Sequence, residues 1–232
     1  MDLSHLNPPQ REAVLTTEGP LLVLAGAGSG KTRVITHRIV HLLDQKVPAR
    51  AILAVTFTNK AAAEMKERVV EMGGQRALSV TLSTFHAFGA EVLREQLYRL
   101  GWPRKFAIVD VGDQLALVRR AMKERQIDDK TFDPRKILTL ISRAKNSGVE
   151  PQPRGARVLN EAGDEEEDGG GDLELAAHLV FPLYQLALKA QGAVDFDDLI
   201  VFPSRLFEQF PEVKEKYAGR FRYVMVDEYQ DT

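Results

Sequence analysis

The 232-residue sequence has no cysteine. That absence excludes a disulfide scaffold, a cysteine nucleophile and any thiolate-held metal, and it suits an intracellular compartment. Long apolar runs are missing too. The most apolar stretch, residues 20–25 (PLLVLA), falls far short of the roughly 18 residues of a membrane span. The opening MDLSHLNPPQREAVL has no cationic segment leading into an apolar one, so no secretory leader is read there. The expectation is a cytoplasmic protein with no membrane partner. Neither charge dominates: 31 Lys and Arg stand against 33 Asp and Glu, a formal net charge of −2. What is present is a globular composition, 44% apolar and 28% charged, which argues against a wholly disordered chain. At about 150 residues per domain, the length suggests one sizeable core plus an insertion.

Balanced totals hide a segregation along the chain. Residues 94–157 hold 15 basic and 8 acidic residues, whereas residues 161–174 hold 8 acidic and none basic. The positive stretch carries apolar residues at helical spacing, Leu115, Val118 and Met122, beside Arg119, Arg120 and Lys123. This predicts a folded helix with one basic side. Residues 161–172 (EAGDEEEDGGGD) cannot bury apolar surface and repel one another, so a flexible loop is expected there.

Four short apolar runs read as buried strands: 20–25, 51–57, 78–84 and 221–226. Helical patterns follow the first two directly, at 31–43 and 59–72, and others occupy 112–125, 134–146 and 173–191. Strand, tight loop and helix in alternation predict an α/β fold, a parallel sheet with helices on both faces. About 135 residues separate the third run from the fourth, too many for one crossover. A mostly helical subdomain is therefore expected as an insertion at 93–190, with residues 1–92 and 191–232 forming the first domain. The chain stops just after the fourth run, where a doubly wound sheet ordinarily continues, so it reads as a fragment.

The sharpest chemistry lies in Ala25-Gly26-Ala27-Gly28-Ser29-Gly30-Lys31-Thr32, between the first run and its helix, where a phosphate-binding loop belongs. Gly28 and Gly30 permit backbone torsions closed to other residues, letting successive N–H groups cradle phosphate oxygens at a helix N-terminus. Lys31 suits the β and γ phosphates, and the Thr32 hydroxyl suits Mg²⁺. Ala25 stands where the general pattern has glycine. At the other end of the chain, Asp227 and Glu228 leave the last apolar run. Asp227 is suited to holding Mg²⁺ through water, and Glu228 to orienting and deprotonating an attacking water.

Together these residues resemble the N-terminal part of superfamily 1A DNA helicases of the UvrD/PcrA/Rep type. Leu6-Asn7-Pro8-Pro9-Gln10 looks like the family's Q motif, in which a glutamine reads the adenine edge. AGAGSGKT at 25–32 is the family's own form of motif I, which accounts for Ala25, and Arg33 is placed to contact the nucleotide. Residues 54–65 (AVTFTNKAAAEM) resemble motif Ia and 83–86 (STFH) motif Ib. Residues 194–199 (VDFDDL) match a further family element, and 226–232 (VDEYQDT) match motif II.

The resemblance implies a RecA-like domain called 1A, interrupted by a helical subdomain 1B that carries SRAKN at 142–146, with ATP and Mg²⁺ as cofactors. It implies single-stranded DNA, and junctions of single and double strands, as partners. Phe57 is the stacking candidate, with Thr58, Asn59, Thr84 and His86 on phosphate or sugar. Arg143 and Lys145 are candidates for duplex phosphate. Gln230 and Asp231 would link the γ-phosphate state to the other domain and to DNA. The rest of 1A, a second RecA-like domain with its inserted 2B subdomain, and the arginines that reach the γ-phosphate would lie beyond Thr232. A non-catalytic nucleotide or DNA-binding module, a small-molecule kinase and the helicase part of a nuclease-coupled enzyme are the alternatives; the kinase gives no reason for TFTNKAAAEM or VDEYQDT.

Overall fold

The computed structural model describes residues 2–148 and 170–231. In chain order it contains α1 (Pro8–Leu15), α2 (Lys31–Asp44), β1 (Ile52–Thr56), α3 (Asn59–Gly73), β2 (Thr81–Thr84) and α4 (Phe85–Gln96). There follow β3 (Ala107–Ile108), α5 (Val111–Glu124), α6 (Pro134–Ser147), α7 (Gly170–Ala190), β4 (Ala193–Val194), α8 (Asp198–Gln209), α9 (Pro211–Arg220) and β5 (Tyr223–Val226). The chain forms two compact units, one of residues 1–88 with 210–232 and the other of residues 89–209. The helical unit thus takes in residues 89–92 and 191–209, which the sequence reading placed in the first domain.

In the first unit the strands form a parallel sheet in the order β2-β1-β5. All five residues of the central strand β1 are buried, as expected of a parallel strand covered on both faces. Its register pairs Thr56 with Thr84 and Val55 with Val226, so the three strands end together. This aligned carboxyl edge is where open α/β sheets bind ligands. Helices α2 and α3 pack on the sheet through Ile39, Leu42, Leu43, Met65 and Val69, against Ile52, Ala54 and Met225. The fold is RecA-like α/β.

One expected strand is not one. Residues 20–25 take no strand conformation, and Leu22 and Leu24 are 67% and 85% exposed. The reason is pairing. A strand exists by sharing its backbone hydrogen bonds with a neighbour, and among the described residues no strand pairs with 20–25. Val224 in β5 is likewise 56% exposed.

In the helical unit, α5, α6 and α7 close on a core of Leu117, Val118, Met122, Ile137, Ile141, Val180, Tyr184 and Leu188. Helix α5 buries Leu115, Val118 and Met122 and exposes Arg119, Arg120 and Lys123, so its basic side is real. Helix α7 runs through Pro182 without ending. Of the acidic stretch expected as a loop, residues 161–169 lie outside the described residues. Gly170, Gly171 and Asp172 instead form the first turn of α7, where a carboxylate is favoured by the helix N-terminus. Helices α1, α4, α8 and α9 were not foreseen, nor were β3 and β4, which pair in parallel, Ala107 with Ala193 and Ile108 with Val194. Trp102 serves packing, its ring 4.7 Å from that of Phe202 and its Nε1–H donated to the Ala193 carbonyl at 3.1 Å.

Candidate functional site

The glycine-rich loop leads into α2 at Lys31. Gly28 and Gly30 both sit at positive φ, +74° and +86°, the left-handed region that glycine enters without steric cost. Gly30 is doubly constrained, since a Cβ there would stand 3.0 Å from the Gln10 Nε2. As N-cap of α2 it has no side chain to offer, which leaves the first N–H groups of the helix to bind an anion. The Lys31 ammonium folds back over the loop and donates to the carbonyls of Ala25 and Gly26 at 3.1 and 3.2 Å.

The second half of the site comes from the end of β5. The Asp227 N–H donates to the Val55 carbonyl at 2.9 Å, which extends the sheet ladder by one residue and fixes where the carboxylate leaves it. The Thr32 hydroxyl donates to Asp227 Oδ2 at 2.9 Å, across 195 positions of sequence. Asp227 is 5% exposed. A hydroxyl and a buried carboxylate, both oxygen donors, meeting beside a helix N-terminus form a donor set suited to Mg²⁺.

Glu228 follows at φ +52°. A non-glycine residue held there costs about 1–2 kcal/mol, and such strain gathers at functional positions. Its N–H donates to Asp227 Oδ1 at 3.1 Å, and the Gln230 amide donates to its carboxylate. Asp227, Glu228 and Gln230 are thus one hydrogen-bonded group.

Gln10 approaches from the N-terminal side. Asn7 and Gln10 make a capping box at the start of α1, with Gln10 N–H on the Asn7 side chain at 2.9 Å and Asn7 N–H on the Gln10 side chain at 3.1 Å. The Gln10 Nε2 donates to the Ser29 carbonyl at 2.9 Å, which ties this segment to the glycine-rich loop. Asn7 is a positioning group that the sequence reading passed over, although Asn-x-x-Gln before a helix is a recognisable signal. Arg33 is exposed on the first turn of α2.

The residues read as DNA contacts divide. Phe57 stands 56% exposed just beyond β1, as a stacking residue must. Asn59 is exposed as well. Thr58 caps α3, accepting from the Ala61 N–H at 3.1 Å. Thr84 is 5% exposed; its hydroxyl accepts from the Ala87 N–H at 3.2 Å and donates to the Asn59 side chain at 3.5 Å. Thr84 therefore presents little side-chain surface to a ligand, while His86, half-buried, follows it at the same sheet edge.

Lys145 corrects the sequence reading outright. It is 2% exposed, and its ammonium lies 2.5 Å from Asp195 and 2.9 Å from Asp198, so it offers no charge to duplex phosphate. Tyr184 donates its hydroxyl to the same Asp195 oxygen at 2.7 Å, and Asp195 and Asp198 each accept the other's backbone N–H at 3.0–3.1 Å. Burial, more than Lys145 offsets, pushes the Asp198 carboxyl up to about 6, and burial beside Asp195 raises the Tyr184 hydroxyl as well. Arg143, two residues earlier, is exposed.

The sequence matches the family described as UvrD/REP helicase N-terminal domain over residues 6–232. It is 48% identical over 231 residues to a Bacillus subtilis protein named ATP-dependent DNA helicase PcrA, and 47% and 44% identical to proteins of that name from Staphylococcus aureus and Staphylococcus epidermidis. These alignments take in 99% of the chain and 30% of each relative. The chain thus spans about a third of the length of the curated relatives it matches.

Proposed function

From the premise that this chain belongs to the family of UvrD/REP helicase N-terminal domains, we propose that it is the nucleotide-binding N-terminal part of an ATP-dependent DNA helicase that translocates on single-stranded DNA. The observation that carries this reading is the 2.9 Å contact between Thr32 and Asp227, residues of two motifs at opposite ends of the sequence. In this reading the first unit is domain 1A and the helical unit is its 1B insertion.

The residues present fit Mg²⁺ and ATP. Bound there, the ion would neutralise triphosphate charge and orient the γ-phosphoryl group. The backbone N–H groups of residues 26–32 bind phosphate oxygens. Lys31 would exchange its two loop carbonyls for β- and γ-phosphate oxygens, and Thr32 and Asp227 are the residues that would hold the ion. Glu228 orients and deprotonates the attacking water, with Gln230 fixing its carboxylate. Gln10 turns its amide to the adenine edge while its own backbone stays held by Asn7, and Arg33 lies alongside the nucleotide.

Phe57 stacks on a base, a contact that tolerates any sequence and is worth about 1–3 kcal/mol. Asn59 and His86 take phosphate or sugar. Closure of a second RecA-like domain on the nucleotide would couple hydrolysis to movement along the strand, in DNA repair or replication restart. Residues 1–232 alone are expected to turn ATP over poorly. Arginine partners at the γ-phosphate, worth about 10³–10⁵ in related NTPases, come in this family from later segments.

Calorimetric titration of the 232-residue chain with Mg·ATP tests the reading. Binding is expected, and Lys31→Ala is expected to weaken it by about 10- to 100-fold, the worth of charge-assisted hydrogen bonds. Affinity indifferent to Lys31→Ala would refute a phosphate-loop role for residues 25–32.

A further inference from the structure

The N-terminal segment is tied to α2 and the loop before it by polar contacts along its length. Arg38 on α2 donates to the Ala13 and Thr16 carbonyls, and two further points lie nearer the start of the chain. One is Gln10 on the Ser29 carbonyl. The other is a histidine pair: the Nε2 atoms of His5 and His37 lie 2.8 Å apart, with ring centroids 5.0 Å apart and the rings tilted by 56°. Between the two points Leu6, 3% exposed, packs with Ala13, Val14 and Val34. The segment is therefore a strap laid over the first turns of the helix that begins at Lys31.

The chemistry of the pair follows from its partners. His37 Nδ1 lies 2.8 Å from the Arg33 carbonyl. A carbonyl oxygen only accepts, so Nδ1 carries the hydrogen. In the neutral ring the His37 Nε2 is then bare, and it accepts the Nε2–H of His5. One added proton can be shared, since His5 in its Nδ1–H tautomer accepts from a protonated His37; a second proton puts an N–H on both Nε2 atoms and breaks the contact. His37 is 6% exposed, while His5 is open to solvent.

We infer that His5 and His37 form a proton-sensitive latch that positions Gln10 against the phosphate loop and so sets affinity for the base end of the nucleotide. The inference rests on the nucleotide reading above. Burial, with positive charge on His5 and Arg33, holds the His37 ring below the usual histidine range, against the pull of the Arg33 carbonyl. Facing the pair are Asp2 on the strap, Arg33 and Asp44 on α2, Met72 on α3 and Arg76 beyond it. Asp44 is committed to Arg76 at 2.5 Å, and Asp2 to the N–H and hydroxyl of Ser4 at 2.8 and 3.0 Å. Both carboxylates are thus engaged, and His37 is the group whose proton the fold disfavours. Because the folded ring resists its proton, the unfolded chain binds more protons as pH falls below about 6.5, and the latch's contribution is present above that value and lost below it.

A double-mutant cycle of His5→Gln and His37→Gln, read by urea unfolding of the 232-residue chain, tests the latch. The expected coupling is about fivefold in the unfolding equilibrium near pH 8, falling to less than twofold near pH 5. Coupling that is absent at pH 8, or equal at both pH values, would overturn it.

Titration of wild type and His5→Gln with Mg·ATP and with Mg·triphosphate, which has no base, tests the positioning. His5→Gln is expected to weaken Mg·ATP by about threefold or more near pH 8 and to leave Mg·triphosphate within twofold. Equal losses for both ligands, or none, would overturn the role. Wild type that binds neither ligand would refute the nucleotide reading and the positioning with it, while the cycle would still decide the latch.

Discussion

Lys145→Ala is expected to destabilise the helical unit by about 3–5 kcal/mol near neutral pH, because it leaves two buried carboxylates with no counter-ion. Lys145, Asp195 and Asp198 are each 2% exposed or less. Removing the ammonium leaves Asp195 and Asp198 with only neutral donors, Tyr184 and two backbone N–H groups. Urea unfolding followed by fluorescence measures the effect in the right place, since the protein's single tryptophan, Trp102, packs on Phe202 within this unit.

The pH dependence has a definite sign. In the wild type Asp198 titrates near 6, above its usual range, so the folded state keeps a proton that the unfolded chain gives up between about pH 4 and 6. This group alone removes stability as pH rises through that window. Without Lys145, which lowers it, the Asp198 carboxyl should hold its proton to still higher pH. The loss from Lys145→Ala should therefore shrink toward pH 5. Adding Asp195→Asn and Asp198→Asn to Lys145→Met should recover much of it, as for other buried ion clusters replaced whole. A Lys145→Ala loss under about 1 kcal/mol at neutral pH would show that the network contributes little.

In a longer protein carrying this domain, Glu228→Gln is expected to lower single-turnover ATP hydrolysis by about 10²–10⁴-fold, the range for loss of a general base. Mg·ATP affinity should stay within a few-fold. Glutamine keeps the size of the side chain and can still meet Gln230, so the split between turnover and binding isolates proton transfer from folding. Glu228 sits at φ +52° beside Asp227, and glutamine suffers the same backbone strain as glutamate. Equal losses of binding and turnover would assign Glu228 to holding the nucleotide instead.

Much of the fold was legible because local pattern and tertiary environment agree. In α3 a run of helix formers follows a threonine cap; in β1 an unbroken apolar run is buried on both sides. Residues 20–25 show the limit. They read as a strand from composition, but strand formation needs a neighbour, and periodicity says nothing of neighbours. The two-residue pairing of β3 with β4 was invisible for the opposite reason, being too short to leave a pattern.

Spacing could have flagged Lys145. Ile137, Ile141, Ala144 and Lys145 fall on one helical stripe, and all four are buried. A cation on an apolar stripe calls for buried acids, and VDFDDL supplies them. Reading the basic stretch by net charge alone hid this. At the loop and at the end of β5, residue type and order were sufficient to pick out Gly28, Gly30, Thr32 and Asp227. The strain at Glu228 and the capping box that holds Gln10 came from the coordinates.

The dependence of ATP affinity on Mg²⁺, compared between wild type and Asp227→Asn, is the most direct test of the proposal that Thr32 and Asp227 hold one ion. Wild type should bind ATP at least about tenfold more tightly with Mg²⁺ than with EDTA, and Asp227→Asn should lose most of that gain while binding free ATP no more weakly. A variant that keeps the full Mg²⁺ enhancement would contradict the account.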